Sequence, residues 1–387
     1  MNDEREFTIV ENLLSPAERE WRRSVREWTD AEIMPHVEDA YEREHFPPAF
    51  AEKIGAQKWF GITLPARDGC GGRNFRDYGI LCQEIERADS GVRSLISVQS
   101  SLAMYAIFRF GDDSQRKILA KMANGETLGC FALTEPGAGS DPEGMDAFAE
   151  KTSAGWLLNG HKRWVTAAPV ANIAVVWAKT ADGIRGFVAP TNAPGVDVRP
   201  LRGKLSLRLS PSAEIVFTNC ELPDGALLPG SDTGLRAPLS CLTQARFGIC
   251  WGALGAAARC YEIARAHCVR RSQFGRPLAG FQLVQQKLAD IYADIARGQL
   301  LNIRLADMMQ NGECRPEHIS LGKRESCRTA RRAARKCRDL LGAEGILARN
   351  EVMRHLANLE TVYTYEGADH IHTLILGRHL TGENAFG

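Results

Sequence analysis

A single glutamate near the end of the chain is the first candidate for chemistry. Residues 364–378 read TYEGADHIHTLILGR, and Glu366 stands there between an aromatic ring and a glycine. A carboxylate that is ionised yet poorly solvated is a stronger base than free glutamate, and it can remove a proton from a carbon beside a carbonyl group. A solvated surface charge is the alternative interpretation, and it is the more common one for a glutamate chosen at random.

A glycine-rich stretch forms a second candidate site. Residues 130–142 read CFALTEPGAGSDP and concentrate small and hydroxyl-bearing residues, namely Thr134, Gly137, Gly139 and Ser140. Backbone N–H groups without bulky side chains can approach a flat or anionic ligand closely. Further along the chain, Trp164 and Thr166 place a large ring beside a hydroxyl group. A Pro-Gly turn and a core tryptophan are the alternatives, and composition alone leaves them open.

Helices are predicted to carry the first part of the chain, residues 1–127. The sequence SPAE at residues 15–18 has the form of a capping box with proline at the first helical position. Trp21, Val25 and Trp28 then recur at helical spacing. This part of the chain is therefore predicted to be a helical domain.

Residues 128–235 are predicted to form a small β-domain. Short β-rich runs at 156–158 and 162–165 flank Asn159-Gly160, which predicts a hairpin whose turn has two positive φ angles. Two more strands are expected at residues 173–177 and 186–188.

Residues 236–387 are predicted to be helical again. Apolar or small residues recur at helical spacing over residues 248–271, 282–309, 318–341 and 350–359. An order of helices, compact β-region and helices differs from the alternating pattern of a doubly wound sheet. The fold class expected is mainly α with a β-domain in the middle.

The bulk composition excludes several classes of function. The 48 Lys and Arg residues balance 47 Asp and Glu residues, so no global field recruits nucleic acid or an anionic membrane. No apolar run approaches the roughly 20 residues that span a bilayer, and the acidic start has no basic region of a signal peptide. The 11 cysteines contain no C-x-x-C pair, which favours free thiols in a reducing compartment and no metal site.

A run of basic residues in the C-terminal part does not predict a nucleic-acid site. Its members are Lys323, Arg324, Arg328, Arg331, Arg332, Arg335, Lys336 and Arg338. Apolar residues such as Cys327, Ala334 and Leu341 share the same helix, so a solvated face or a subunit contact is expected rather than a phosphate-binding surface.

Five motifs together resemble the acyl-CoA dehydrogenase family, in the same order and at similar spacing. They are LTEPGAGSDP, KRWVT, ARFGICWGALGAA, RRSQFGRPLAGFQLVQQKLAD, and YEG followed by LILGR. As a set they are highly specific and cover nearly the whole chain. Within the family the likeness is greatest to the glutaryl-CoA dehydrogenases, through ERADSGVRSLISVQSSL at 86–102 and YEGADHIHTLILGRHLTG at 365–382.

The resemblance implies a fold and a cofactor. It implies an N-terminal helical domain, a middle β-barrel-like domain and a C-terminal four-helix bundle, with FAD in the cleft between them. Trp164 would cover the flavin and Thr166 would reach its reactive nitrogen edge. The other implied cofactor residues are Phe131, Leu133, Thr134, Gly139, Ser140, Gly342 and Gly345, with Arg271, Phe274 and Gln282 contributed by a neighbouring subunit of a homotetramer.

The resemblance also places Glu366 on the catalytic base of the family. A backbone N–H, in the family that of this glutamate, and a flavin ribityl hydroxyl would stabilise the oxyanion of the thioester. Arg246 lies where the family either binds the CoA portion or supports the region of the base. With the motifs in order, the surface interpretation of Glu366 is no longer favoured.

Arg93 indicates the substrate. A guanidinium presents a planar fork that suits the distal acid of a dicarboxylyl chain, and a buried arginine needs a counter-charge, for which Glu86 is the candidate. In glutaryl-CoA dehydrogenases the matching residues bind the glutaryl carboxylate, and Ser94 matches a residue at the acyl pocket. The remaining implied substrate residues are Ser97, Ser140, Tyr365 and Gly367. An exposed Arg93 at a helix start is the alternative.

These implied roles predict an activity with several open alternatives. The favoured one is oxidation and decarboxylation of glutaryl-CoA to crotonyl-CoA, with electron-transfer flavoprotein as acceptor. A non-decarboxylating enzyme, an enzyme for another acyl group on CoA or on a carrier protein, and a catalytically idle paralogue that serves as a binding partner stay open. The expected location is the cytoplasm, or the mitochondrial matrix if a transit peptide was removed.

Several positions depart from the family pattern on the cofactor side. Ala368 replaces a threonine, and Gly342-Ala343-Glu344-Gly345 replaces the usual Gly-Gly-Asn-Gly, which brings a carboxylate near the expected diphosphate. Neither change touches Glu366 or Arg93. From these departures we expect either weaker FAD binding or an enzyme whose substrate carries a different acyl group.

Overall fold

A computed structural model describes residues 8–386 of the chain. Its helices are α1 (Thr8–Glu11), α2 (Pro16–Glu32), α3 (Met34–Glu42), α4 (Pro48–Ala56), α5 (Phe75–Glu86), α6 (Ser90–Ser97), α7 (Tyr105–Phe110), α8 (Asp113–Arg116), α9 (Leu119–Ala123), α10 (Arg236–Arg270), α11 (Gln282–Gln310), α12 (Pro316–Leu340), α13 (Val352–Thr364) and α14 (Asp369–Thr381). Its strands are β1 (Gly129–Ala132), β2 (Phe148–Thr152), β3 (Gly155–Thr166), β4 (Ile173–Thr180), β5 (Gly183–Pro190), β6 (Val196–Pro200), β7 (Ser212–Leu222), β8 (Ser272–Gln273) and β9 (Arg276–Pro277).

The predicted fold class is confirmed. Helical N-terminal and C-terminal parts enclose a seven-stranded sheet in the order β1-β4-β2-β3-β7-β6, with β5 paired to β4. Strands β1 and β4 run parallel, whereas β3 pairs antiparallel with both β2 and β7. The domain limits at residues 127 and 235 stay predictions, and the acidic start at residues 1–7 lies outside the described residues.

The start of α2 follows the predicted capping box. The Ser15 hydroxyl accepts a hydrogen bond from the N–H of Glu18, and the Glu18 carboxylate accepts one from the N–H of Ser15. Each of these bonds satisfies a backbone N–H that the helix itself leaves without a partner. Trp21 and Trp28 then pack edge-on against Trp59, as expected for the inner face of an amphipathic helix.

The hairpin predicted at Asn159-Gly160 is wrong. β3 runs without a turn from Gly155 to Thr166, and its partner across the preceding turn is β2. The Asn159 side chain instead accepts a hydrogen bond from the N–H of Asn219. Gly160 has φ 157°, and a Cβ built there would lie 2.4 Å from the Cβ of Ala147. The glycine therefore allows close backbone approach at a β-bulge and does not form a turn.

A buried π-helix joins the first helical part to the sheet. Val98–Met104 continues directly from α6, and Gln99 is fully buried within it. The Gln99 amide donates to the carbonyls of Met122 and Thr127, and its oxygen accepts from the N–H of Gly129. These bonds fix the start of β1, and with it the glycine-rich stretch that follows.

The long helix α10 is the central element of the C-terminal part. It begins at Arg236, 12 positions before the predicted start at residue 248, and it packs against α5, α11 and α12. Gly248, Gly252 and Gly255 lie on the side that faces α5, where a Cβ would meet Tyr78, Glu86 and Gln83 respectively. This glycine face lets the two helices approach closely. No helix within residues 8–386 is long and apolar enough to cross a membrane.

Candidate active site

Arg93 and Glu86 form a fully buried ion pair between α5 and α6. Both side chains are 0% exposed, and Arg93 Nε lies 2.5 Å from Glu86 Oε2. The second oxygen of Glu86 accepts a hydrogen bond from the Ser90 hydroxyl at 2.7 Å. Burial opposes the charge of Arg93, but the attraction and hydrogen bond of the Glu86 carboxylate, with contributions from Tyr365 and Cys82, together keep the pKa of Arg93 well above its ordinary value. The surface alternative for Arg93 is therefore wrong.

The other nitrogens of Arg93 connect it to the segment that carries Glu366. Nη1 donates to the Ser97 hydroxyl at 3.1 Å, and Nη2 donates to the Tyr365 hydroxyl. The Tyr365 oxygen also lies 3.3 Å from the Ser94 hydroxyl. Five residues implied at the substrate end are thus assembled in one cluster, although they come from positions as far apart as 86 and 365. Burial raises the pKa of Tyr365, so the phenol stays neutral.

Gly252 provides the space for this ion pair. A Cβ built on Gly252 would lie 2.0 Å from Glu86 Oε2 and 3.0 Å from Arg93 Nε. Neither distance is compatible with the present positions of the two charged groups. The sequence did not single out Gly252, because a glycine can occur inside a helix for many different structural reasons.

We expect Gly252→Ala to disturb the ion pair and to destabilise the fold. Overpacking of a close-packed site costs about 1–3 kcal/mol, and here it also displaces a buried charge. Gly377→Ala in α14 is the matched control, because a Cβ at Gly377 has no neighbour within 4 Å. Chemical denaturation should show a loss for Gly252→Ala and no loss for Gly377→Ala, and equal stabilities would contradict the steric argument.

Glu366 lies in a tight connection between α13 and α14. Its φ is 49° and that of Gly367 is 95°, so two consecutive residues adopt left-handed conformations. Such a conformation is unfavourable for a glutamate and persists only where surrounding contacts enforce it. A Cβ on Gly367 would lie 2.9 Å from His372 Nε2, which explains the glycine.

Two buried cations bind three consecutive carbonyl oxygens of this connection. Arg246 Nε donates to the Glu366 carbonyl at 2.7 Å. Lys323 Nζ donates to the carbonyl of Tyr365 and, at 2.6 Å, to that of Gly367. Two roles were left open for Arg246, and this bond corresponds to the second one, in which Arg246 supports the region of the base.

One oxygen of the Glu366 carboxylate is sheltered and has no hydrogen-bond partner among the described residues. The side chain is half-buried, yet its Oε2 atom has no solvent contact and no hydrogen-bond partner. Burial raises the pKa of Glu366, and Arg93, Arg246 and Lys323 act in the opposite direction. An unbonded carboxylate oxygen with a raised pKa is what a general base needs before substrate arrives.

Lys323 is a site residue that the sequence interpretation missed. It belongs to the basic run assigned to a solvated face, but its side chain is only 1% exposed. The prediction therefore failed for this residue, whereas Arg328 and Arg331 of the same run form ion pairs with Asp369 and Glu360. The apolar neighbours on α12 were the available signal, because Lys323 lies on the same face as Cys327, four positions later.

A separate face is formed by the glycine-rich stretch and the end of β3. The N–H of Arg163 donates to the carbonyl of Thr134 at 2.8 Å, which joins the two segments. Beneath them, the buried Lys162 donates to the Leu133 carbonyl and to Glu135. The Glu135 carboxylate in turn accepts from two backbone N–H groups at positions 146 and 147.

This face has room for a flat ligand and an aromatic ring beside it. Trp164 adopts φ 59° and exposes 58% of its surface, which is unusual for so large an apolar ring. Gly137 and Gly139 have no atoms within 4 Å of a built Cβ, and Ser140 is exposed. Thr134 and Thr166 are partly buried, whereas Phe131 and Leu133 are buried beneath the surface. An exposed aromatic ring together with an uncrowded glycine backbone suits a flat ligand such as an isoalloxazine ring.

The residues implied to come from a neighbouring copy belong to a later part of the sequence than this face. Arg271, Phe274 and Gln282 are all exposed, and Phe274 is 94% exposed at the tip of the β8–β9 hairpin. Gly342 is exposed and Gly345 is buried. The carboxylate of Glu344 accepts hydrogen bonds from Arg349 and Asn350, which lower its pKa and partly offset its charge.

Known proteins resemble this chain along most of its length. The models of the acyl-CoA dehydrogenase N-terminal, middle and C-terminal domains match residues 15–126, 130–220 and 232–381. An acyl-CoA dehydrogenase of Bacillus subtilis is 32% identical over 93% of this chain and 97% of its own. A glutaryl-CoA dehydrogenase structure from Mycobacterium smegmatis is 48% identical, covers 97% of both chains and has a TM-score of 0.96. A second structure from that organism, in complex with FADH2, is 44% identical with the same coverage and TM-score.

Proposed function

The chain belongs to the acyl-CoA dehydrogenase family and uses FAD, and on that basis we propose that it oxidises glutaryl-CoA and decarboxylates the product to crotonyl-CoA. The observation that carries the substrate proposal is the buried Arg93–Glu86 pair, which is joined through Tyr365 to the segment of the base. A monocarboxylic acyl chain offers no charge to such a cluster.

The FAD-binding residues are proposed from the face formed by the glycine-rich stretch and the end of β3. Trp164, Thr166 and the stretch from Phe131 to Ser140 would hold the isoalloxazine ring. Arg271, Phe274 and Gln282 of another copy, with Gly342 and Gly345, would meet the rest of the cofactor in a homotetramer. When bound, FAD supplies the acceptor for the hydride that leaves the β-carbon. Electron-transfer flavoprotein is the proposed acceptor of the electrons.

Glu366 is proposed to remove the α-proton of the thioester. Its unbonded Oε2 is available to accept that proton, and burial makes it a stronger base than a solvated glutamate. The backbone N–H of Glu366, held by the bonds to the neighbouring carbonyls, is proposed to donate to the thioester oxygen as negative charge develops there.

Arg93 is proposed to bind the distal carboxylate of the glutaryl chain. A guanidinium has five N–H donors, and Glu86, Ser97 and Tyr365 accept from three of them. The two that remain are on separate nitrogens and can meet both oxygens of a carboxylate. Ser94 and Ser97 line the same end, and Ser140 and Gly367 complete the proposed substrate contacts.

Decarboxylation follows from the chemistry of the oxidised product. Glutaconyl-CoA still carries its γ-carboxylate, and loss of carbon dioxide leaves a dienolate conjugated with the thioester. The proton that Glu366 took from the α-carbon can then be returned to the dienolate, which gives crotonyl-CoA. The neutral Tyr365 lies beside the leaving carboxylate in this proposal.

Anaerobic mixing with acyl thioesters tests the function. We expect glutaryl-CoA to bleach the flavin absorbance and to release carbon dioxide. Bleaching without release of carbon dioxide would indicate a non-decarboxylating enzyme. Bleaching only by butyryl-CoA or by a carrier-protein thioester would instead identify that thioester as the substrate. Absence of bleaching by any thioester would leave the idle binding partner as the remaining alternative.

The bleaching rate should depend on pH through Glu366. Because burial raises the pKa of this group, the base is ionised above the raised pKa and protonated below it. The rate should therefore fall with decreasing pH at a higher pH than that at which free glutamate titrates. Stopped-flow bleaching in buffers of constant ionic strength measures this, and a rate that stays constant down to the ordinary glutamate pKa would contradict it.

A further inference from the structure

We propose that Lys323 is a positioning residue for the base, holding the left-handed conformation of Glu366 and supplying a fixed positive charge that keeps its carboxylate ionised. This inference rests on the proposed role of Glu366. It concerns a residue that neither the motifs nor the family resemblance assigned to the site.

The backbone geometry is the first argument. Lys323 Nζ bonds the carbonyls of Tyr365 and Gly367, which are the residues immediately before and after Glu366. The two bonds close a bridge across the segment in which Glu366 has φ 49° and Gly367 has φ 95°. Without this bridge, the carbonyls of Tyr365 and Gly367 lose the bonds from Lys323, and only the bond from Arg246 to the Glu366 carbonyl is left to oppose relaxation of the glutamate to negative φ.

The charge balance around the base is the second argument. The titratable and charged groups around Lys323 and Glu366 come from α6, α10, α12, α14 and the connection itself, and they are Arg93, Arg246, Cys250, Cys327, Tyr365, Asp369 and His372. The Asp369 carboxylate is already paired with Arg328 at 2.6 Å.

Most of these groups carry no charge. Burial raises the pKa of the Cys250 and Cys327 thiols and of the Tyr365 phenol, and burial lowers the pKa of His372 to about 2. All four groups are therefore neutral near pH 7.

Three cations remain, and only some of them form an ion pair with a carboxylate. The charge of Arg93 is balanced by Glu86 at 2.5 Å. Among residues 8–386, Lys323 and Arg246 have no carboxylate within salt-bridge distance, and their side-chain hydrogen bonds go to carbonyls of residues 365–367. Glu366 is accordingly the counter-charge for these two buried cations. Burial lowers the pKa of Lys323 to about 8, so it is mostly protonated at neutral pH.

The test compares variants of the flavin-loaded enzyme over a range of pH. Lys323→Met removes the charge and the donors at similar length, and Lys323→Gln removes the charge but keeps a donor for one carbonyl. The acid limb is the pH range in which the bleaching rate falls as Glu366 becomes protonated. Loss of a nearby opposite charge should shift the acid limb to higher pH by about one unit in both variants. Misplacement of the carboxylate should also lower the plateau rate of Lys323→Met by roughly a hundredfold with little change in KM.

Lys323→Arg is the matched control, because it keeps the charge and can bond both carbonyls. Its acid limb should stay at the wild-type pH. A merely structural role predicts the opposite direction, since loosening would admit water and lower the pKa of Glu366. An acid limb that is unmoved or lowered in both Lys323→Met and Lys323→Gln would overturn the inference.

A second readout measures the base without flavin reduction. Acetyl-CoA has an α-carbon but no β-hydrogen to transfer, so its exchange with deuterium in D2O reports proton abstraction alone. NMR should show slower exchange for Lys323→Met than for Lys323→Arg, and equal rates would contradict the proposal. Failure of the wild-type enzyme to be bleached by any thioester would instead reject the proposed function.

Discussion

Glu366→Gln should abolish bleaching of the flavin by acyl thioesters while the flavin stays bound. The amide is nearly isosteric with the carboxylate, so the bonds from Arg246 and Lys323 to the backbone of this segment can remain. It cannot accept the α-proton, and a positioned general base contributes roughly 10²–10⁴-fold to the rate. Rapid anaerobic mixing measures the loss directly.

Glu366→Asp is the control for this experiment. Aspartate keeps the charge but withdraws it by one methylene, so a partial loss is expected. The flavin content of each variant, measured after gel filtration, separates loss of chemistry from loss of cofactor. Wild-type bleaching in a flavin-loaded Glu366→Gln enzyme would show that another group removes the proton.

Arg93→Ala should abolish the proposed selectivity for a dicarboxylic acyl chain and leave an enzyme that prefers a monocarboxylic chain. Removal of a buried partner from a charge pair costs about 2–5 kcal/mol, so kcat/KM for glutaryl-CoA should fall by roughly a hundredfold or more. Butyryl-CoA makes no use of the guanidinium and should be affected far less. Steady-state rates with both substrates give the ratio.

The single variant leaves the Glu86 carboxylate buried without its cation, which is itself strongly destabilising. The double variant Arg93→Ala/Glu86→Gln removes that charge and is the matched control for stability. It should show the same loss of glutaryl-CoA selectivity in a better-folded protein. If both variants retain the wild-type ratio of glutaryl-CoA to butyryl-CoA, the dicarboxylate assignment is wrong.

The sequence could predict the order of the three parts because each has its own periodicity. Helical spacing and a capping box identified the helices, and short β-rich runs identified the sheet. The hairpin failed because Asn-Gly favours a tight turn locally, whereas here Gly160 serves a close contact with Ala147. Such a contact lies between strands and has no local sequence signal.

The candidate site was predictable where its residues belong to motifs of the sequence. Glu366 and Arg93 were found through motifs, and the structure adds that one carboxylate oxygen of Glu366 has no partner among the described residues and that Arg93 forms an ion pair with Glu86. Lys323 and Gly252 could not be assigned, because their roles depend on what lies opposite them in space. A lysine in a basic run and a glycine in a helix look ordinary until the neighbouring elements are in place.

The proposed function depends on proton removal by Glu366 from a chain whose far carboxylate is held by Arg93. Anaerobic titration of the flavin-loaded protein with glutaryl-CoA and, in parallel, butyryl-CoA tests both halves at once. We predict complete bleaching at about one glutaryl-CoA per flavin and a much weaker response to butyryl-CoA. A flavin that butyryl-CoA bleaches as readily as glutaryl-CoA, or that neither thioester bleaches, would contradict the proposed function.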